Sequence, residues 1–559
     1  MQCCKNLRSE MRDGIELSLD LYTPDDRGTY PVILIRTPYT KDSLKRERIY
    51  GHYQRFTDRG YAIAVQDCRG TGESDGIFCA NAPQEYEDGY DTVEWIAKQN
   101  WCNGNVGMMG LSYFCFTQLA AASLQPPALK AICPFMTMSQ EMFGSWMTRS
   151  VNYGHIHWIY GQLLEHLGRY IPDAERRERY RILLETNNRN LDQFAYSLPA
   201  TQNPAIISGV PLLNDYVQLY NGIEKSEYWR SMHHPTDFSC MHVPMFHCTG
   251  WFDVCLDTTI RNWKTMQSQS DSYTKEQSRL IIGPWAHGGE CNTVFGHFDF
   301  GHENDGEGQD LSGKMLSWFD YYMKGKANGV EQWPIVHFYV LGLNRWLDSA
   351  AWPPAEADYI SLYLHRNHQL STDLPTEEEP DHYTYDPGKP SPAKAGDGEL
   401  IPDYRPVSNR GDVICYETKS INKSVVLAGT VKMDLFASSD VKDTDFACRL
   451  MVVLQDGFEF MLSQGLVRAK WRNGGKTPTF LEKNQMVHYE FEIGNIACQL
   501  QKGQRLKIHV MSALFPLYDR NLNTGEPSAT CDHYQIAHQS IFHDILYPSA
   551  IRLPVLPDA

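Results

Sequence analysis

The sequence predicts an α/β protein whose mostly parallel sheet is interrupted by a helical insertion and followed by an all-β domain. Three observations predict it. Short apolar runs alternate with helical patterns between residues 30 and 135; the alternation lapses from about 140 to 240 and then resumes; beyond about 335 only short strand-like runs with turn signals remain.

In chain order, Tyr30–Ile35, Tyr61–Val65, Val106–Met109 and Leu129–Cys133 are near-continuously apolar, as strands buried on both faces are. Between them, Glu85–Gln99 places Tyr86, Tyr90, Val93 and Ile96 at helical spacing. Asp173–Glu185, opened by Pro172-Asp173, marks the helical insertion, which suits a lid. Pro244–Cys248 and Leu280–Ile282 then resume the sheet. Ile360–His365, Gly429–Ala437, Ala447–Leu454, His488–Ile493 and Arg505–Ser512 read as an all-β sandwich or jelly roll. The Pro-, Gly- and acid-rich stretch Ser371–Asp412 is expected to be a long surface loop. Domain boundaries follow: residues 1–140 and 241–345 form the sheet domain, 141–240 the cap, and 346–559 the β domain.

Composition narrows the class. The chain has 559 residues, 42% hydrophobic and 21% charged, values of a soluble globular protein too long for one core. A net charge of −17, with no basic stripe, excludes a nucleic-acid partner. With no run of 18 apolar residues and no apolar leader after Met1, no membrane partner is expected and the location reads as cytoplasmic. Fifteen cysteines, an odd number without short paired spacings, read as reduced thiols. A metal reading of His247, Cys248 and Cys255 can be drawn, but buried free Cys commonly acts as a small hydrophobe; no metal and no cofactor are expected. Small molecules are the expected partners, and a homo-oligomer is compatible with the sequence.

The chemistry gathers at strand ends. Gly107–Tyr113 (GMMGLSY) follows a strand and precedes the helical run Phe114–Leu124, the context of a nucleophile elbow at Ser112. Gly110 fits that tight turn, but Cys115 stands where a Gly is frequent, and on this fragment Ser112 reads equally as a helix N-cap. A hydroxyl needs a base, and the base an orienting acid, met here in the order Ser, acid, His. Gly250-Trp251-Phe252-Asp253 and Gly283-Pro284-Trp285-Ala286-His287 each follow a strand. Either candidate alone would pass as a turn former or a structural histidine; three strand-end matches in the required order select Ser112, Asp253 and His287. The Tyr113 N–H is one candidate donor to the oxyanion of the tetrahedral intermediate. The loop Arg36–Lys41 offers no Gly-rich run, so the Tyr39 hydroxyl is the alternative second donor, although spacing alone favours a packed tyrosine.

These motifs, together with Asp67-Cys68-Arg69-Gly70-Thr71-Gly72-Glu73-Ser74-Asp75-Gly76, Trp101-Cys102-Asn103-Gly104 and Gln539–Asp544, resemble the CocE/NonD hydrolases. That group includes cocaine esterase, α-amino acid ester hydrolases, glutaryl-cephalosporin acylases and Xaa-Pro dipeptidyl-peptidases. The resemblance covers nearly the whole chain. It implies an α/β-hydrolase core, a helical cap and a C-terminal jelly roll, and it implies that Tyr39 supplies an oxyanion-hole hydroxyl beside the Tyr113 N–H. It also implies acyl-pocket tryptophans in the cap, for which Trp146 and Trp158 are candidates; core packing accounts for both equally well. Phe252 and Cys255, flanking Asp253, are further candidate substrate-binding residues. The Asp67–Gly76 segment lacks the Gly-Lys-Ser/Thr of a phosphate loop and reads as structural.

One departure bears on substrate. The α-amino acid ester hydrolases carry acids two and three positions after the catalytic Asp, where this chain has Cys255 and Leu256. The expectation is a serine hydrolase cleaving an ester or acyl-amide bond of a small to medium substrate through an acyl-enzyme, with Asp257 or a cap acid left as substitutes for the missing charge. Alternatives are an Xaa-Pro-type peptidase or amidase, acyl transfer to an acceptor other than water, and a carbohydrate- or peptide-binding jelly roll beside a degenerate hydrolase core.

Overall fold

The computed structural model describes residues 1–42, 52–78, 83–137, 153–190, 193, 195–199, 237–288, 292–296, 298–393, 402–474, 477–527 and 530–557. Its first half is organised by eight strands: β1 (Gln2–Glu10), β2 (Glu16–Thr23), β3 (Tyr30–Thr37), β4 (Ala62–Asp67), β5 (Cys102–Ser112), β6 (Leu129–Thr137), β7 (Phe246–Phe252) and β8 (Arg279–Ala286). They pair in the order β1-β2-β4-β3-β5-β6-β7-β8, and Val336–Val340 and Arg345–Ser349 complete a ten-stranded sheet. Every contact from β4 through β3, β5, β6 and β7 to β8 is parallel. Only the edges turn antiparallel.

Strand periodicity explains the apolar runs. Val32, Leu34, Val106, Met108 and Ile132 enter the core on one face of the sheet, whereas Ile33, Ile35, Met109, Ala131 and Cys133 enter the core on the other. All ten are fully buried, and each large aliphatic side chain so placed contributes about 2 kcal/mol of transfer free energy. Helices Gln84–Ala97, Tyr113–Ser123, Leu256–Gln269 and Leu311–Lys324 cover the faces. The fold is that of an α/β-hydrolase. Two helices of the inserted segment are described, Tyr153–Tyr170 and Ala174–Arg189.

From Asp358 onward an eleven-stranded, almost wholly antiparallel sheet forms, its longest pair being Val425–Ser439 with Val487–Leu500. This β-rich region fits a jelly roll. The expected surface loop Ser371–Asp412 is corrected here: Asp381–Tyr385 is a strand paired with Ala537–Phe542, and Arg405–Ser408 is a helical turn. Alternation decides it, because Tyr383 and Tyr385 are buried in the β core while His382 and Thr384 point to solvent. The β region is fastened to the first sheet. Leu341 bridges Cys498, and Asp257 accepts from the Asn495 backbone N–H at 3.0 Å and its Nδ2 at 2.7 Å.

Candidate active site

The strand β5 ends on Ser112 and a helix starts at Tyr113, so the chain reverses in a single residue. Ser112 takes φ 59° and ψ −123°, a left-side conformation that L-residues adopt only under constraint. Gly110 permits the approach: at φ +139° a Cβ there would lie 2.5 Å from the Phe114 Cβ. Gln118 fastens the elbow, donating to the carbonyls of Gly110 and Phe114 at 3.1 Å each and accepting the Cys133 N–H at 3.0 Å. The N-cap alternative can now be answered. Ser112 occupies the cap position but makes no capping side-chain bond; its Oγ lies 3.0 Å from His287 Nε2.

His287 follows β8 and Asp253 follows β7, and close packing of the two strand ends brings them together. A Cβ at Gly250 would stand 2.1 Å from the Trp285 carbonyl oxygen, so only glycine lets the strands approach this closely. His287 Nδ1 lies 2.8 Å from Asp253 Oδ1. A carboxylate accepts, so Nδ1 carries the proton and Nε2 offers its lone pair to the Ser112 hydroxyl. Asp253 is buried and held in place by the Cys255 backbone N–H at 2.8 Å and by Thr249 Oγ1 at 2.8 Å. Met136 Sδ accepts the Gly288 N–H at 3.3 Å, steadying the loop that carries His287. Thr249 and Met136 escape sequence reasoning, because neither type signals chemistry and each acts across elements.

Tyr39 stands within hydrogen-bonding reach of Ser112. Burial pushes its hydroxyl up to about 12 against the opposing hydrogen bond from Trp158, so it keeps its proton at neutral pH. Tyr113 opens the helix Tyr113–Ser123; the first N–H groups of a helix have no intrahelical acceptor and favour an anion. A hydroxyl, a helix N-terminus and a hydroxyl–imidazole–carboxylate chain thus converge on one point.

Trp158 donates its indole N–H to the Tyr39 oxygen at 2.8 Å and stacks on Tyr113 with centroids 5.8 Å apart. Trp146 lies outside the described residues. Phe252 packs among Phe295, Phe300 and Phe460, joining the β7 end to the β domain. Cys255 is fully buried, its thiol pushed well above the usual range by burial and by the adjacent Asp253. Cys115 is buried too and donates to Thr137 Oγ1 at 3.0 Å, so it acts in helix–sheet packing. Asp257 accepts from Asn495 and turns to the β domain, not to the triad. Among the described residues, two sets could gather around a metal ion, Asp253–Cys255–His287 and Glu526–Cys531–His533. In the first, a thiol that keeps its proton is a poor ligand.

Comparison with known proteins identifies the family. Residues 13–289 match the X-Pro dipeptidyl-peptidase (S15 family) model, and residues 328–551 match the X-Pro dipeptidyl-peptidase C-terminal non-catalytic domain. Cocaine esterase of Rhodococcus sp. (strain MB1 Bresler) is 30% identical, covering 99% of this chain and 98% of that protein. An aminopeptidase from the marine sediment archaeon Thaumarchaeota archaeon superposes with a TM-score of 0.84 at 24% identity, covering 99% of this chain and 96% of that one. An α-amino acid ester hydrolase superposes with a TM-score of 0.83 at 24% identity, over the same 99% and 96%. Carried by full-length sequence identity and a shared fold, the chain belongs to the CocE/NonD family of serine hydrolases.

Proposed function

We propose that this protein hydrolyses an ester or acyl-amide bond of a small to medium, uncharged substrate through an acyl-enzyme on Ser112. The carrying observation is the continuous chain from Ser112 Oγ to His287, at 3.0 Å, and on to Asp253, at 2.8 Å. His287 takes the serine proton as Oγ attacks the carbonyl and returns it to the leaving group; Asp253 holds the imidazole in the competent tautomer and stabilises the imidazolium. The Tyr39 hydroxyl and the Tyr113 N–H receive the oxyanion, and water then releases the acid by the reverse sequence. No disulfide joins any two of the thirteen described cysteines, which supports a reducing, cytoplasmic setting.

Ser112→Ala should abolish both turnover of p-nitrophenyl esters and labelling by a fluorophosphonate; undiminished labelling would show that another residue is the nucleophile. A second reading, a peptidase of the X-Pro dipeptidyl type, is favoured by the family match over residues 13–289. Against it, no acid follows Asp253 at the next three positions, and Asp257 spends its carboxylate on Asn495. Set side by side, p-nitrophenyl butyrate should turn over faster than a glycyl-proline anilide; the opposite order would install the peptidase reading.

A further inference from the structure

The helix Tyr153–Tyr170 of the inserted segment grips the loop that carries Tyr39 at several points. Trp158 Nε1 lies 2.8 Å from the Tyr39 oxygen. His166 Nε2 lies 2.9 Å from the Pro38 carbonyl, and Glu165 bonds Thr40. From the sheet side, Asp67 accepts the Lys41 backbone N–H at 2.8 Å and the Lys41 Nζ at 2.7 Å. Tyr39 therefore sits at the centre of a loop clamped from both sides.

Hydrogen-bond direction along this line is fixed by its two ends. An indole N–H can only donate, and an ionised carboxylate can only accept. Trp158 therefore donates to the Tyr39 oxygen. On the far side, Asp253 accepts from His287 Nδ1, leaving Nε2 to accept from Ser112. The Ser112 proton is committed to His287, so the proton left to lie between Tyr39 and Ser112 is the tyrosine's. Every donor points toward the triad. Without the indole donor the Tyr39 oxygen is open to accept, and the Ser112 hydroxyl has a competing orientation, donating to Tyr39 and facing away from its base.

We propose that Trp158 is a positioning residue: its indole N–H fixes the Tyr39 hydroxyl as a donor, which keeps the serine proton on the path to His287 and the tyrosine proton aimed at the oxyanion. When the serine oxygen bonds to the acyl carbon, its proton passes to His287, and the tyrosine proton transfers its hydrogen bond from Oγ to the carbonyl oxygen without leaving the phenol. The inference rests on the reading of Ser112 as nucleophile and goes beyond it by making the cap helix part of the oxyanion site. An acyl-pocket wall needs only the indole's shape; a positioning residue needs its N–H.

The test replaces Trp158 by β-(3-benzothienyl)alanine, in which sulfur stands for the N–H at nearly unchanged volume, alongside Trp158→Phe. Each is made alone and in a Tyr39→Phe background. Both single variants should lose about tenfold in kcat on a p-nitrophenyl ester with KM nearly unchanged, the scale of one neutral hydrogen bond. Affinity for a boronic acid, which forms the tetrahedral serine adduct, should fall in the same proportion, and affinity for the product acid should not. In the Tyr39→Phe background the further loss should vanish, because the partner is gone. Full kcat in the benzothienyl variant, or losses that multiply with Tyr39→Phe, would overturn the proposal. Activity surviving Ser112→Ala would instead overturn the underlying reading, so the two failures are distinguishable.

Discussion

His287 in the sheet domain and His543 in the β domain are both held by carboxylates, but only His287 keeps a ring nitrogen against a hydroxyl. His287 has Asp253 on Nδ1 and a neutral hydroxyl on Nε2, with its side chain 26% exposed. His543 has Glu378 on Nδ1 and Asp381 on Nε2, each at 3.1 Å, and is wholly buried. Burial alone would lower the pKa of His543; the bond to Asp381 and the charges of Asp381 and Glu378 outweigh it and hold the imidazole above its ordinary value. A base must accept a proton and give it back, which one carboxylate and one hydroxyl allow. Two carboxylates fix the proton and turn the same side chain into a cross-link between strand Ala537–Phe542 and the segment Glu378–Tyr385.

The comparison predicts opposite phenotypes, and the larger is catalytic. His287→Ala should lower kcat/KM by roughly 10⁴-fold or more, with an unfolding midpoint close to that of the unmodified protein. If a tenth of the activity survived, the contrast would break on the catalytic side. His543→Gln should do the reverse. Removing the cation leaves two partly buried carboxylates facing one another, at a cost of about 2 kcal/mol in unfolding free energy, while kcat/KM per folded molecule stays within about twofold. A pH series sharpens the point. Because folding raises the His543 pKa, its stabilisation is fully present below the unfolded value of about 6.5 and is lost as pH rises through the folded value. The Gln variant should therefore differ from the unmodified protein most at pH 6 and least at alkaline pH; a gap that widened toward alkaline pH would contradict the assigned charge.

The two regions also differ in how much of them the sequence reveals. Ser112, Asp253 and His287 can be picked from the chain because each ends a buried apolar strand, and parallel strands deliver their ends to one edge. The clamp on His543 is hidden, since Glu378 and Asp381 lie in a stretch whose Pro, Gly and acidic content reads as loop; only the Tyr383, Tyr385 alternation betrays the strand. Strand β1 escapes for a related reason. Its side chains are almost all exposed at the sheet edge, so no apolar period marks it. Trp158 on Tyr39 is a bond across 119 positions between two loosely patterned segments; family resemblance suggests an acyl-pocket tryptophan there, but only geometry reveals which atom the indole touches.

A third histidine makes the comparison quantitative. His247 on β7 is fully buried against Trp263, and neither ring nitrogen has a hydrogen-bond partner among the described residues. Burial lowers it to about 3, so it is neutral in the fold at any working pH. It has neither the proton trap of His543 nor the acceptor–donor pair of His287, and so it costs stability without returning chemistry. His247→Phe should raise unfolding free energy by about 1 kcal/mol at pH 7.5 by removing unsatisfied nitrogens. The gain should grow on acidification. Since the folded pKa lies below the unfolded one, the unfolded chain binds the proton first, and stability falls as pH drops below about 6.5; by pH 5 the linkage amounts to about 2 kcal/mol. Urea unfolding of both proteins at pH 7.5 and 5 measures it. A gap that does not widen between those two values would mean that His247 already carries a partner, in which case its place beside His287 and His543 would have to be redrawn.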